Sequence, residues 1–312
     1  MDDPTSAEAV HEGLSHAPVR VMSARVKLGA RLVNLRSRRE LLRNLVISDI
    51  RIKYKGSALG LLWSMLNPAF TLGIYFLVFS VVLKNGYPNY VIFLFSGLIV
   101  WNMFQNSVFS ATGVIVDRAG LVKKVSFPRE ILPLASVGSA VIYFFIQLVV
   151  LIIFLFIFHH APEWNMLEIL PITFASLYLF AASVSIVMAA FTVYMRDMKH
   201  LMEVLLQLWF WTSPVVYSYS NSLAVQLATH HLKWFYFMNP MALIVLTFQR
   251  TFYVNTLVHQ TTGTHPLIHM LPSWAPSSFL YLNSAMLVIM VGLFLLALII
   301  FGRLEGNFES EL

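Results

Sequence analysis

The chain has 312 residues, of which 58% are hydrophobic and only 12% charged, with a net charge of +6. A soluble domain carries roughly 25% charged residues, so an ordinary soluble class is excluded. The absence of cysteine also excludes disulfides and thiolate metal sites.

Residues 1–20 are polar, and no apolar core precedes Leu41, so the sequence shows no signal peptide. Residues 1–35 are expected to form a disordered cytosolic tail. From Arg39 to Lys55, Leu42, Leu45, Val46, Ile50 and Tyr54 recur at three- and four-residue spacing, while Arg39, Arg43, Arg51 and Lys53 point elsewhere. That pattern predicts an amphipathic helix lying in the membrane interface, its basic side chains among anionic headgroups, or a simple topology anchor.

Charge-poor apolar runs then follow at about 62–83, 92–115, 136–158, 170–193, 201–217 and 279–301. A hydrocarbon core of about 30 Å needs about twenty residues at helical rise, so each run predicts a membrane span. The ~10-residue alternation of a barrel is missing. The expected fold is an all-α polytopic membrane protein with six transmembrane helices. Asn67–Pro68 predicts a kink in the first span. Gly56 with Gly60, and Ala181 with Ser185 and Ala189, have the spacing of close helix packing.

The basic residues orient the chain. Eleven precede the first span, four lie in 118–129, two in 196–199 and one at Arg303. Only Lys84, Lys233 and Arg250 of the 21 fall on the other side. Both termini are therefore expected inside. The positive charge is a topology signal, and no nucleic-acid partner is implied.

Between Tyr217 and Ser278 the pattern breaks. Asn239 is placed to cap a helix that has Pro240 at its first position and ends near Tyr253. About fourteen residues cannot cross a bilayer. With a second short segment at about 221–231, this predicts two re-entrant half-helices at the outer face, followed by a loop. His159, His160, His259, His265 and His269 show no metal-ligand spacing and are expected to be ordinary histidines.

The chain contains no GxxxxGK[ST] phosphate loop and no HExxH, and its spans carry essentially no buried acid or base. A transporter of this kind must draw its energy from another chain. The polar residues within spans cluster on the second, where Asn102, Gln105, Asn106, Phe109 and Gly113 share one face beside Trp101. A polar face in lipid must look inward. It serves either interhelical hydrogen bonding or the wall of a wet conduit in which amides meet sugar hydroxyls and rings stack on sugar faces. Trp101, Asn102, Gln105 and Asn106, with Trp209 and Trp211 on the fifth span, are the candidate lining; an interfacial belt is the alternative for the tryptophans.

One connection stands out. "LVKKVSFPREILPL" (Leu121–Leu134) sets Lys123, Lys124, Arg129 and Glu130 among Pro128 and Pro133, between two charge-free spans. "DIRIKYKGSALGLLWSMLNP" (Asp49–Pro68), with its basic-Tyr-basic, Leu-Gly and Trp followed by Pro, resembles the stretch entering the first span of ABC-2 type permeases. It is most similar to those exporting lipid-linked polysaccharides such as O-antigen, capsule, teichoic acid and cell-wall galactan. The resemblance continues at "LVKKVSFPREILPL", "YMRDMKHL", "FWTSPVVY", "NPMALIVLTFQR" and the closing "RLEGNFESEL", and so covers the chain from about Arg39 onward.

The resemblance implies a transmembrane domain over 36–303 and a short cytosolic tail at 304–312. It implies a second copy of the chain and two ATP-binding subunits, which carry the ATP and Mg; no cofactor is expected on this chain. The segment 117–130 becomes the coupling helix and cytosolic gate. Leu121, Lys123, Lys124, Phe127, Pro128, Arg129 and Glu130, with Arg196 and Asp197, become the ATPase-coupling residues. Arg51, Lys53, Tyr54 and Lys55 become the place where the lipid pyrophosphate enters. The outer gate, 218–278 with Pro214 and Tyr217 leading into it, includes Asn239, Pro240 and Arg250. The implied location is a bacterial plasma membrane, and the implied role is export, not catalysis. The rival is a membrane-embedded transferase acting on polyprenyl-linked glycans, which would need a catalytic acid among Asp49, Asp117, Glu130 and Asp197. A third possibility is a channel working without an ATPase.

Overall fold

A computed structural model describes residues 28–57, 60–82, 89–219, 238–254, 257–258 and 268–312. Two short helices open this region: α1, Leu28–Ser37, and α2, Arg39–Tyr54. Residues 28–35, expected in the disordered tail, are thus helical. α2 keeps Arg39, Arg43 and Arg51 exposed and turns Leu42 and Leu45 toward the core.

Gly56 (φ 79°) and Gly60 (φ 49°) follow, both with left-handed backbone. A Cβ at either glycine would meet nothing within 4 Å. Their task is the left-handed backbone that a side chain disfavours, and the close packing expected of them is corrected. A 3-10 turn at Gly60–Leu62 leads into α3, Trp63–Phe76, with Pro68 inside it, and a six-residue π turn continues to Val82.

α4, Tyr90–Thr112, is the central helix, and seventeen of its 23 residues are buried. Two short helices follow, α5 (Val114–Asp117) and α6 (Ala119–Lys124), and then α7, Ile131–Ile157. α8, Trp164–Leu167, precedes α9, Leu170–Tyr194. α10 spans Met198–Thr212, α11 Pro240–Tyr253 and α12 Pro276–Leu304. A 3-10 turn and α13, Phe308–Glu311, close the chain. The strands among the described residues are β1, Leu257–Val258, and β2, Ile268–His269, which pair antiparallel with Leu257 opposite His269.

Around α4 pack α3, α7, α9, α10 and α11; α12 lies along α9, and α2 crosses α7. Glycine and small residues set the closest approaches. A Cβ on Gly138 would fall 2.8 Å from Val46 Cγ2, so α2 rests directly on α7 there. Ala181, Ser185 and Ala189 are fully buried on α9, as their spacing predicts. Beneath α11 a polar knot joins three helices. Asn283 Nδ2 donates to Thr247 Oγ1 at 3.1 Å, and Thr173 Oγ1 donates to Asn283 Oδ1 at 2.9 Å. In an apolar surround such bonds contribute roughly 1 kcal/mol and fix which faces meet.

Four helical stretches among the described residues are long and apolar enough to cross a membrane: Tyr90–Thr112, Ile131–Ile157, Trp164–Tyr194 and Pro276–Asn307. They make this a multi-pass helical membrane protein. The expected first span corresponds to α3 with its π turn. The expected fifth corresponds to the 15-residue α10, which at 1.5 Å per residue is about 22 Å long.

Candidate functional site

An open cleft of about 620 Å³ runs between α2, α3, α4, α7 and α10. α4 contributes Asn102, Gln105, Asn106 and Phe109, α7 contributes Tyr143 and Gln147, and α10 adds Glu203 and Gln207. Asn102 Nδ2 donates to Gln147 Oε1 at 3.3 Å, while Asn106 is exposed within the cleft. One amide thus bridges helices, and its neighbours face the cleft. Lys53 on α2 is the cleft's one cation among the described residues, its ammonium 4.7 Å from the centre of the Tyr143 ring. Although the residue as a whole is exposed, desolvation there lowers the amine's pKa from the ordinary lysine value. Glu203 is the one carboxylate among the described lining residues. The wall is therefore largely neutral, with hydrogen-bonding groups and rings in place of fixed charge.

Trp63 of α3 lines this cleft, but the expected Trp101, Trp209 and Trp211 do not. Trp101 is 2% exposed, packed edge-on against Phe210, and its Nε1 donates to Gln105 Oε1 at 2.9 Å. It orients the amide that reaches the cleft. Trp209 packs edge-on against the stacked pair Phe104 and Phe180 and donates to Asn239 Oδ1 at 2.9 Å. Trp211 is exposed, with its ring edge-on to Phe210. The expectation for Trp101 and Trp209 is corrected: Trp101 is buried and Trp209 half-buried among other rings, away from the cleft lining.

At one end of α4 the chain from Ser213 to Tyr219 threads between α4 and α11. Gln249 Nε2 donates to the carbonyls of Pro214 (2.9 Å) and Val215 (3.2 Å), and the Tyr90 hydroxyl donates to that of Val216. Gly97 leaves the room, since a Cβ there would stand 2.9 Å from Gln249 Nε2. Asn239 caps α11 as expected, accepting from the Met241 amide at 3.0 Å, and it also donates to Ser213 Oγ. Twelve of the fourteen residues of α11 are buried, from Met241 to Tyr253 apart from Arg250. Pro240 opens the helix, Pro214 is buried, and the half-buried Tyr217 donates to the Trp211 carbonyl. Arg250 is paired with Glu163 in the α7–α9 connection, and His160 Nε2 lies 2.8 Å from the Tyr253 carbonyl. His269 sits in β2. The second half-helix expected at 221–231, with His259 and His265, lies outside the described residues.

The opposite end of α4, about 35 Å away at 1.5 Å per residue, holds the charged connection. Most of its charges are satisfied within the chain. Arg118 pairs with Asp49 of α2, and Lys199 Nζ is 3.6 Å from Asp117. Glu130, expected to face a partner, is 2% exposed and paired with Arg31. Arg129 donates to the Glu305 carbonyl at 3.2 Å and lies 5.9 Å from the Phe308 ring centre. Residues 129–130 are therefore corrected to internal contacts. What remains outward is Leu121, Lys123, Lys124 and Val125, with Arg196 and Asp197 on the neighbouring turn; Phe127 and Pro128 are half-buried. On α2, Arg51 and Lys55 border a groove along the helix with Asn44 and Ser48. The side chain of Tyr54 lies outside the described residues.

Burial raises the pKa of Glu130, and the neighbouring Glu305 adds to the shift, against the opposing pull of Arg31. A carboxyl with a raised folded-state pKa contributes stability that is fully present below its unfolded value. That contribution is lost as pH rises through the folded value. Glu130→Gln should therefore gain in thermal midpoint over the wild type as pH rises from 5 to 8, by about 2 °C, in detergent unfolding scans. A relative gain that grows toward acid pH would contradict this sign.

The sequence is matched from residue 40 to residue 253 by the family described as ABC-2 type transporter. This chain belongs to that family. The match spans α2 to α11, and so takes in the cleft, the charged connection and the threaded segment. A similar relative is the O-antigen export system permease protein RfbA of Myxococcus xanthus, 32% identical over 245 residues, covering 77% of this chain and 91% of the relative. Two proteins of the same name from Klebsiella pneumoniae are 28% and 29% identical over 212 and 204 residues. They cover 68% and 65% of this chain, and 80% and 76% of their own lengths.

The residues missed in the sequence of this ABC-2 transporter are Gln249, Gly97, Asn283 and Arg31. Gln249 and Asn283 did carry a signal, as lone amides in apolar runs. Gly97 and Arg31 carried none, because their partners lie far along the chain.

Proposed function

We propose that this ABC-2 permease is the transmembrane subunit of an ATP-driven exporter of a lipid-linked polysaccharide. The O-antigen, teichoic acid and galactan types fit this reading. Two copies pair with two ATP-binding subunits in the bacterial plasma membrane. Each copy spans six times with both termini inside, counting α3 with its π turn and α10 as the short spans and α11 as a re-entrant outer element.

The observation that carries this reading is the cleft. A polymer must slide without being gripped, and a wall of amides and rings holding one Lys and one Glu binds sugar hydroxyls weakly and repeatedly. It opens beside α2, whose Arg51, Lys53 and Lys55 suit a pyrophosphate headgroup. Charge steers the lipid anchor to the interface, and neutral hydrogen bonding guides the glycan. Since the chain has no phosphate loop, the work comes from the partner. Leu121, Lys123 and Lys124 on α6, with Arg196 and Asp197 beside them, are the surface that receives it.

A transferase is less well supported: Asp49, Asp117 and Glu130, three of its four candidate acids, are engaged by Arg118, Lys199 and Arg31. An affinity-tagged chain purified in mild detergent from its own cells should carry an ATP-binding subunit in equal amount and hydrolyse ATP. Purification of the chain alone, with full export in cells lacking any such subunit, would sink the proposal.

A further inference from the structure

Arg31 lies in α1, before the region matched by the family, yet it touches two segments far apart in the chain. Its guanidinium pairs with Glu130 at the exit of the charged connection, and its Nη2 lies 3.1 Å from Glu305 Oε2 beyond α12. The Arg31 and Glu130 side chains are 12% and 3% exposed. The guanidinium lies flat over Gly302, where an added Cβ would stand 2.5 Å from its Cζ and 2.6 and 2.7 Å from its terminal nitrogens. Only a glycine in that turn of α12 leaves the space.

The surround is equally tied. Arg129 donates to the Glu305 carbonyl, and the Tyr194 hydroxyl at the end of α9 donates to the Leu304 carbonyl at 2.6 Å. Phe308 is fully buried against Phe301 and Tyr194, which brings the last residues back onto the bundle. The closing segment, expected to be a plain tail, is thus part of this junction. A buried guanidinium shared by two carboxylates is a weak source of stability, because desolvation offsets the attraction. Its geometry is what an apolar substitute could not reproduce: two bonds in a fixed fork, aimed at two different helices.

We propose that Arg31 is a positioning residue for coupled transport, clamping the exit of the α6 connection to the end of α12 so that the two move as one body. The inference rests on the reading of α6 as the surface that receives the ATPase. Displacement of α6 then reaches Glu130 within six residues and passes through Arg31 to α12. α12, which lies along α9, then moves with α7, and the cleft wall that α7 shares with α4 shifts with them.

The test uses cells depleted of the native chain and complemented with variants. Export is read as the surface fraction of glycan made during a pulse of radiolabelled glucose, and ATP hydrolysis is measured on the complex purified from the same cells. Arg31→Ala should hydrolyse ATP within about twofold of wild type while exporting at least about fivefold less. Arg31→Lys, a point charge without the fork, should fall between them. Gly302→Ala should reproduce the loss by displacing the guanidinium, and adding it to Arg31→Ala should cost nothing further, since both remove one contact. Glu305→Gln, which leaves the Arg31–Glu130 pair in place, should show a smaller uncoupling and serves if Arg31→Ala fails to accumulate. A merely structural role would lower protein level, hydrolysis and export together. An unchanged ratio of export to hydrolysis in Arg31→Ala, Gly302→Ala and Glu305→Gln overturns the clamp while leaving α6 as the docking surface. Hydrolysis and export that both survive Lys123→Glu with Lys124→Glu, in an otherwise wild-type complex, overturn the docking reading, and the clamp with it.

Discussion

Asn106→Lys is expected to reduce export at least about tenfold while the permease still inserts and holds its ATP-binding partner. Asn106 is exposed in the cleft beside Phe109, one helical turn from Asn102, whose amide is tied to Gln147. A lysine there sets a second ammonium in a wall whose described residues otherwise carry one cation and one carboxylate. Keeping that charge at membrane depth costs on the order of 2.5–3.5 kcal/mol unless water or Glu203 compensates. The compensation would itself narrow the path, and each 1.4 kcal/mol of added barrier is about tenfold in rate. Gln105→Lys should act the same way and also release Trp101, whose indole donates to Gln105. Asn106→Gln, which restores an amide, should recover most of the export. The measurement is surface glycan in complemented cells, with partner co-purification as the control for assembly. Normal export from both lysine variants would remove this face from the path.

The second large effect is expected at α6. Lys123→Glu with Lys124→Glu should leave the chain inserted but weaken its hold on the ATPase by about 2 kcal/mol or more, roughly a thirtyfold loss of affinity. The structure sharpens which residues to reverse. Arg129 and Glu130 belong to internal contacts, so reversing them would disturb the junction with α12 and blur the result. Lys123 and Lys124 are exposed beside Leu121 and Val125, a small basic and apolar ridge. Co-purification in rising salt measures the effect, and the wild-type complex should itself weaken as salt screens these charges. Retention of the partner at wild-type salt tolerance would move docking elsewhere.

What was legible in the sequence was local. Asn239–Pro240 announced α11 because capping and the fixed proline φ act within four residues. The amides of α4 stood out because a polar face in an apolar run has to look inward. The amphipathic face of α2 was visible in its spacing, and the structure places Val46 of that face against Gly138. Illegible features depended on distant partners. Trp101 and Gln105 share a face, but only the packing of Phe210 decides that the indole is buried and the amide reaches the cleft. Arg31 reads as one more basic residue before the first span until α12 is folded beside it, 274 positions from Arg31 to Glu305. Gly56 and Gly60 have the spacing of helix packing, yet their positive φ values show that they turn the chain; spacing alone cannot separate the two tasks.

The most direct measurement follows the cargo. Cells in which the chain is depleted should accumulate a polyprenyl-linked glycan on the inner leaflet while the matching surface polymer declines. Re-expression of the wild type, but not of Asn106→Lys, should clear the pool. Depletion that leaves every lipid-linked glycan at its normal level, with the surface polymers intact, would contradict an export role outright.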